Sequence, residues 1–343
     1  MVKSMSAKCY LVVMLGVVAV LAGPGDFGKT TSAAAAEEQI KGMPNRIVLI
    51  GGAVGGDWAA LAEGLGQVYR KAFLKTTVIV EPGKDGPNAV LANKGEEDLL
   101  LSQSLTTSLA CEGKEPYKAK MDKIRAVAMV RKNQNFSFLV LKKTGLKSIS
   151  EIKTKKFPLR VSVNRRGSTM EILARTVFEV YGITYKDIEQ WGGKVHFQSF
   201  RPSFELMDDG KLDTVIGNPP APAAHFVQAS TKHDLTLLPL DDKAIKEVAA
   251  KLDMLPAVIP KGAYDFLDRD VPTVGTTLLL ITNANKPQEE IYHLTKVLCE
   301  NVDYLRNVHA TMRSMSTAEL PLVGRIPLHP GAIKFYQEKG LLK

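Results

Sequence analysis

Asn164-Arg165-Arg166-Gly167-Ser168-Thr169 sets two guanidinium groups beside a glycine and two hydroxyls. A guanidinium is planar and grips a carboxylate through two parallel hydrogen bonds, and the first N–H groups of a helix attract negative charge. The segment lies between a strand-like run, Leu159 to Val163, and a helical pattern starting near Met170, so it reads as an anion site. Exposed loop charges are the plain alternative for Arg165 and Arg166.

Three more segments hold residues fit for binding. Gly51-Gly52-Ala53-Val54-Gly55-Gly56-Asp57-Trp58 separates the strand ending at Ile50 from a helix starting near Trp58. Its glycines let backbone N–H groups approach a ligand, although a purely structural turn fits equally well. It has no Gly-Lys-Ser/Thr ending for a phosphate loop, and its glycine spacing misses the dinucleotide fingerprint. Ser102-Gln103-Ser104 follows the strand Asp98 to Leu101 and offers small polar groups, with a helix cap at Ser104 as the alternative. Asn218-Pro219-Pro220-Ala221-Pro222 is a rigid wall whose one strong polar contact is Asn218.

Catalytic and metal constellations are missing from the pattern. His196, His225, His233, His293, His309 and His329 include no pair at i, i+4, and no Gly-x-Ser-x-Gly elbow occurs. No catalytic residue, metal ligand or cofactor is therefore expected.

These segments need elements to position them. Strands and helices alternate: Arg46 to Ile50, Trp58 to Phe73, Thr77 to Val80, Asn88 to Asn93 and Asp98 to Leu101. That alternation implies a parallel sheet in an α/β lobe. Two β-rich runs, Arg125 to Arg131 and Phe136 to Leu141, then suit strands that carry the chain into a second lobe. That lobe contains Leu159 to Val163, a helix from Met170 to Tyr181, Lys194 to Phe197, a short helix from Ser203 to Asp208, Thr214 to Ile216 and Leu235 to Leu238. The run Thr276 to Thr282 returns the chain to the first lobe, where Gln288 to Leu305 reads as one long amphipathic helix. The expected fold is α/β and bilobed, with lobe 1 over residues 45–132 and 276–343, lobe 2 over 136–270, and a ligand cleft between them outside the carboxyl ends of the strands.

A chain of 343 residues with 45% hydrophobic and 24% charged residues has globular composition and exceeds one ordinary core. The run Tyr10 to Ala22, preceded by Lys3 and Lys8, is short for a membrane span and reads as the core of a signal peptide, with a leader over residues 1–36 and cleavage after Ala22 or after the run Ala33 to Ala36. Losing that leader removes three lysines and one aspartate, so the formal charge of +9 becomes +7. The remaining lysines are scattered, which argues against nucleic acid as a partner. Cys111 and Cys299 are the thiols of the mature chain, and either one disulfide or two unpaired side chains fits them.

The ordered set resembles the TAXI family, extracytoplasmic solute receptors that work with TRAP-type transporters. The likeness runs from about Arg46 to Lys343. It rests on the glycine turn before Trp58, Ser102-Gln103-Ser104, Gly167-Ser168, Pro220-Ala221-Pro222, Leu238-Pro239-Leu240-Asp241-Asp242, Ile259-Pro260-Lys261-Gly262-Ala263-Tyr264, Asp270-Val271-Pro272-Thr273-Val274 and the tail Pro327-Leu328-His329-Pro330-Gly331-Ala332. The resemblance implies a periplasmic-binding-protein fold closing on glutamate, 2-oxoglutarate or another organic acid, with no enzymatic activity. It further implies a periplasmic monomer that delivers its ligand to a TRAP-type permease. Two departures stand out. Trp58-Ala59-Ala60 replaces the usual aromatics after the first glycine turn, and Gly167-Ser168-Thr169-Met170 replaces a Gly-Ser-Gly-Thr turn. They weaken the case for an amino-acid ligand and leave an anion.

In the resulting site, main-chain N–H groups near Gly55, Gly56, Gly167 and Ser168 hold a carboxylate and Arg165 or Arg166 neutralises it. Gln103, Ser104 and Asn218 fix orientation, and Trp58 or Tyr264 covers the apolar part. A sensory module reporting to a membrane receptor is the rival reading, and a periplasmic enzyme is a second one.

Overall fold

Ile47-Val48-Leu49-Ile50 is an unbroken apolar run, and such a strand is stable only with both faces covered. The computed structural model, which describes Ile40 and residues 42–343, covers both. Strand β1 (Arg46–Ile50) lies between β2 (Thr77–Glu81) and β3 (Leu99–Gln103), parallel to each. Helix α1 (Asp57–Ala72) follows β1, α2 (Asp85–Lys94) follows β2 and α3 (Ser104–Glu112) follows β3. Ile47 and Leu49 enter one core with α1, while Val48 and Ile50 enter another with α2. The three parallel strands thus end at one edge, where their loops can share a ligand.

Strand β4 (Ile124–Asn135) leaves this sheet, and after Phe136 the chain continues as β5 (Ser137–Leu141) in a second sheet. There β5 pairs antiparallel with β8 (Thr214–Gly217) and β9 (Leu235–Leu238), and β8 continues in parallel through β6 (Arg160–Ser162) to β7 (Lys194–His196). The helices of this series are α4 (Ser150–Thr154), α5 (Thr169–Val180), α6 (Tyr185–Gln190), α7 (Phe200–Asp208), α8 (Ala224–Ser230) and α9 (Asp242–Leu252). Strand β10 (Leu255–Ile259) then pairs with β11 (Val271–Asn283).

β11 spans both cores. Val271 and Val274 belong to cores of the second series, and Leu278 and Leu280 to the core under α1. It runs antiparallel to β3 and β4. Helices α10 (Gln288–Glu300), α11 (Val302–Arg306) and α12 (Pro330–Glu338) return to the α1 core. The fold is therefore mixed α/β with two sheets, as the alternation predicts.

Several details differ from the sequence reading. Residues 255–259, read without a strand of their own, form β10 and pair with Val271–Gly275, the end of β11 that reaches the second-series cores. Leu105 and Leu109 of α3 bury themselves in the core of α5 and α9, so this helix belongs to both halves. The expected single helix from Gln288 to Leu305 breaks at Asn301, whose Nδ2 donates to Val297 O at 2.8 Å and competes with the backbone ladder. Cys111 and Cys299 are both free and sit in different clusters, and burial pushes the Cys111 thiol up to about 11. Among the described residues no helix is long and apolar enough to cross a membrane. The leader at 1–36 lies outside the described residues.

Candidate functional site

A cleft of about 430 Å³ opens at the carboxyl edge of the parallel strands. The β1–α1 turn gives it Gly52, Ala53, Gly56, Asp57 and Trp58, and the β2–α2 loop gives Gly83, Lys84 and Asp85. Gln103 ends β3, and the β6–α5 loop of the other sheet closes the far wall with Asn164, Ser168, Thr169 and Met170.

Close backbone approach explains the glycines. A Cβ on Gly52 would lie 2.5 Å from Trp58 Cβ, and one on Gly51 would lie 2.7 Å from Ala62 Cβ. Gly55 has φ +77°, a left-handed conformation that glycine adopts without the Cβ penalty. The first two loops are fastened to each other, because Gly83 N donates to Gly52 O at 3.0 Å. Buried Asn88 also donates from Nδ2 to Gly51 O and Leu101 O, at 2.9 and 2.7 Å.

Each helix that meets the cleft carries its own carboxylate. Asp57 stands in the first turn of α1, accepts from Trp58 N and pairs with Arg131. Asp85, in the first turn of α2, accepts from Gln103 N at 2.8 Å, Ser102 Oγ at 3.1 Å and Thr106 Oγ1. Burial raises its carboxyl above the ordinary range while these three donors pull it back. At α5, the Ser168 hydroxyl caps Glu171 N, and the buried Glu171 carboxylate accepts from Gly167 N at 3.0 Å and Tyr185 Oη at 2.9 Å. Carboxyl groups of the chain itself thus already occupy these helix N-termini, including those of α1 and α5 that the sequence reading reserved for a ligand.

The expected site residues divide into two groups. Gly56, Trp58, Gln103 and Ser168 line the cleft, with Gly55 and Gly167 in the adjoining turns. Asn218 lies just beneath, its Nδ2 donating to Gln103 Oε1 at 3.1 Å. Ser104 is buried in the strand-to-helix junction, where its Oγ accepts from Thr277 N. Arg165 is exposed, and Arg166 stacks its guanidinium 3.8 Å from the centre of the Phe197 ring; neither lines the cleft. The φ of +73° at Asn164 and the Ser168 N to Arg165 O bond turn this loop so that its hydroxyls, not its arginines, face inward. Tyr264 is 3% exposed and stacked on Phe266, its hydroxyl accepting from Ala223 N, so it packs a core instead of covering a ligand.

Asp57, Lys84, Asp85 and Arg131 are the charged residues that sequence reasoning missed. The first three follow from the same strand-end rule, since Pro82-Gly83-Lys84-Asp85 stands between a strand and a helix. Arg131 carries a subtler signal: a lone arginine after the apolar run Ala126-Val127-Ala128-Met129-Val130. Among the described residues no three His, Cys, Asp or Glu side chains gather to hold a metal ion.

The fold is similar to that of the periplasmic aliphatic sulphonate binding protein SsuA from Escherichia coli, at 11% identity over 87% of this chain and 89% of that one, with a TM-score of 0.47. MatC from Rhodopseudomonas palustris, with bound malate, shares 16% identity over 79% and 88% of the chains, with a TM-score of 0.47. PhnD1 from Prochlorococcus marinus, in complex with methylphosphonate, shares 16% over 87% and 100%, with a TM-score of 0.49. Residues 49–340 match the model of the NMT1-like family, and the chain belongs to that family.

Proposed function

We propose that the chain is an exported, non-enzymatic receptor that captures a small organic acid between two closing lobes and delivers it to a TRAP-type membrane transporter, acting in the periplasm as a monomer. The observation that carries this reading is the double construction of the cleft. Loops after β1, β2 and β3 face the loop after β6 of the other sheet, so a solute filling the space touches both halves. Such a solute favours the closed arrangement by the difference in its affinity for closed and open forms. The Ser168 hydroxyl, which lines the cleft, accepts from Glu171 N as the cap of α5, a structural task that supports binding over bond-making chemistry.

Lys84 supplies positive charge, the Gln103 amide and Thr169 hydroxyl supply neutral contacts, and Asp57 and Asp85 supply acceptors. This mixture suits an acid that also carries a hydroxyl or amine. A thermal-shift screen of the mature chain against organic acids, amines and sugars tests the reading. An acid at a hundred times its dissociation constant should add about 2.7 kcal/mol of stability. Stabilisation by sugars or simple cations alone, or turnover of the bound solute, overturns it. Loss of uptake of that acid on deletion of the gene separates a transport receptor from a sensory module.

A further inference from the structure

Arg131 follows an apolar run in β4, and its side chain is 1% exposed. Only Nη1 is engaged, donating to Asp57 and, at 3.1 Å, to Thr311 Oγ1. Nε and Nη2 are buried and have no partner. A buried cation with open donors is costly until an acceptor completes it. Those two atoms form the edge of the guanidinium that grips a carboxylate side-on, as Arg160 shows by using Nε and Nη2 on the two oxygens of Asp213. In Arg131 this fork is open.

The fork is buried beside Asp57, which lines the cleft. Leu278 of β11 pairs with Gln103 on one side and, between two register shifts of β4, with Arg131 on the other, and the contact with Asp57 puts the Arg131 side chain toward α1. Two strand spacings separate Gln103 from Arg131, roughly 10 Å. Gln103 and the Arg131 partner Asp57 both line the cleft. At the Gln103 end the unmet groups are acceptors. Asn218 Oδ1 is buried without a partner, and so is Oε1 of Gln134, in register with Thr276 beside Gln103. One end of this buried row thus offers free donors and the other free acceptors.

We infer that Arg131 is the charge-selecting residue of this receptor: its Nε–Nη2 edge takes the carboxylate of a short-chain acid whose far end donates a hydrogen bond to Asn218 and Gln134. The inference rests on the receptor reading and narrows its ligand to a class. Asp57 holds Arg131 in place between ligands and shares it when one is bound.

Calorimetric titration with 4-hydroxybutyrate, and with 1,4-butanediol as the same chain lacking the carboxylate, tests this at constant ionic strength. The acid binds the parent and the diol does not. Asp57→Asn, which keeps Arg131 and its open fork, retains the preference for the acid over the diol. The double variant Asp57→Asn/Arg131→Met, which leaves no unpaired charge, loses at least about thirtyfold in affinity, in the range expected for removing one partner of a buried charge pair. Arg131→Lys loses at least about fivefold, since an ammonium cannot form the fork. A cooperative melt of each variant without ligand confirms folding, and Arg131→Lys decides the question if the double variant does not fold. Binding to the variant that decides within threefold of the parent, equal binding of the diol, or no binding of the acid to the parent overturns the inference. The receptor reading falls separately, only if the wider solute screen also fails.

Discussion

Arg166 illustrates how a residue suited to one task is used for another. Its guanidinium lies over the Phe197 ring in a cation–π contact made outside the cleft lining. Removing Arg165 or Arg166 should therefore leave the affinity for a captured acid within threefold of the parent, below about 0.7 kcal/mol, by calorimetric titration. A tenfold loss in either Ala variant would return the anion site to that loop. Ser168 has the opposite history. It faces the cleft as the sequence suggests, yet its hydroxyl is occupied in capping α5. Ser168→Ala should cost about 1 kcal/mol in urea unfolding, and an unchanged midpoint would show that the cap contributes nothing.

At the scale of elements, α12 packs on α10 through a glycine. A Cβ on Gly331 would sit 2.2 Å from Gln288 O and 2.7 Å from Tyr292 N, both backbone atoms of or beside α10 that cannot swing aside. Gly331→Ala should destabilise the fold by roughly 1–3 kcal/mol, read as a lowered denaturation midpoint, whereas a neutral result would mean the two helices slide apart freely. Such close approaches were not legible in the sequence, where Gly331 appears only inside the tail motif. What was legible followed from periodicity: β1 and β9 fall where their apolar runs stand, and α1 and α5 begin within one residue of the expected starts. β10 escaped because its residues are mostly half-exposed and a proline, Pro256, interrupts the pattern. Arg131 escaped because a single sequence does not reveal that a strand residue is buried with donors unmet. Asp57 and Asp85 stand at legible strand ends, but the partners that fix their roles lie 74 and 21 residues away and are not legible.

Across the whole molecule the charge state of one buried acid sets a pH dependence unrelated to the cleft. Glu290 is 4% exposed at the start of α10, its Oε1 has no partner, and burial is the largest cause that pushes its carboxyl up from 4.5 to about 7. The folded state therefore holds a proton that the unfolded chain has released, so this group makes stability fall as pH rises from about 4.5 to about 7. Glu290→Gln should match the parent near pH 4 and exceed it at pH 8 by roughly 1–2 kcal/mol after allowance for solvent screening, checked by denaturation at both pH values. Equal stability at pH 8 would show that water reaches the group. The central claim, that a small acid is captured in this cleft, has a built-in reporter. The chain has two tryptophans, and only Trp58 lines the cleft, while Trp191 packs beside the α5–α9 core. Replacing Trp191 by Phe leaves Trp58 as the sole indole, and titration of that receptor with the acid found by the screen should give a saturable, one-to-one change in emission at the same dissociation constant as calorimetry. Calorimetric binding with no change in Trp58 emission would place the ligand elsewhere and contradict the account.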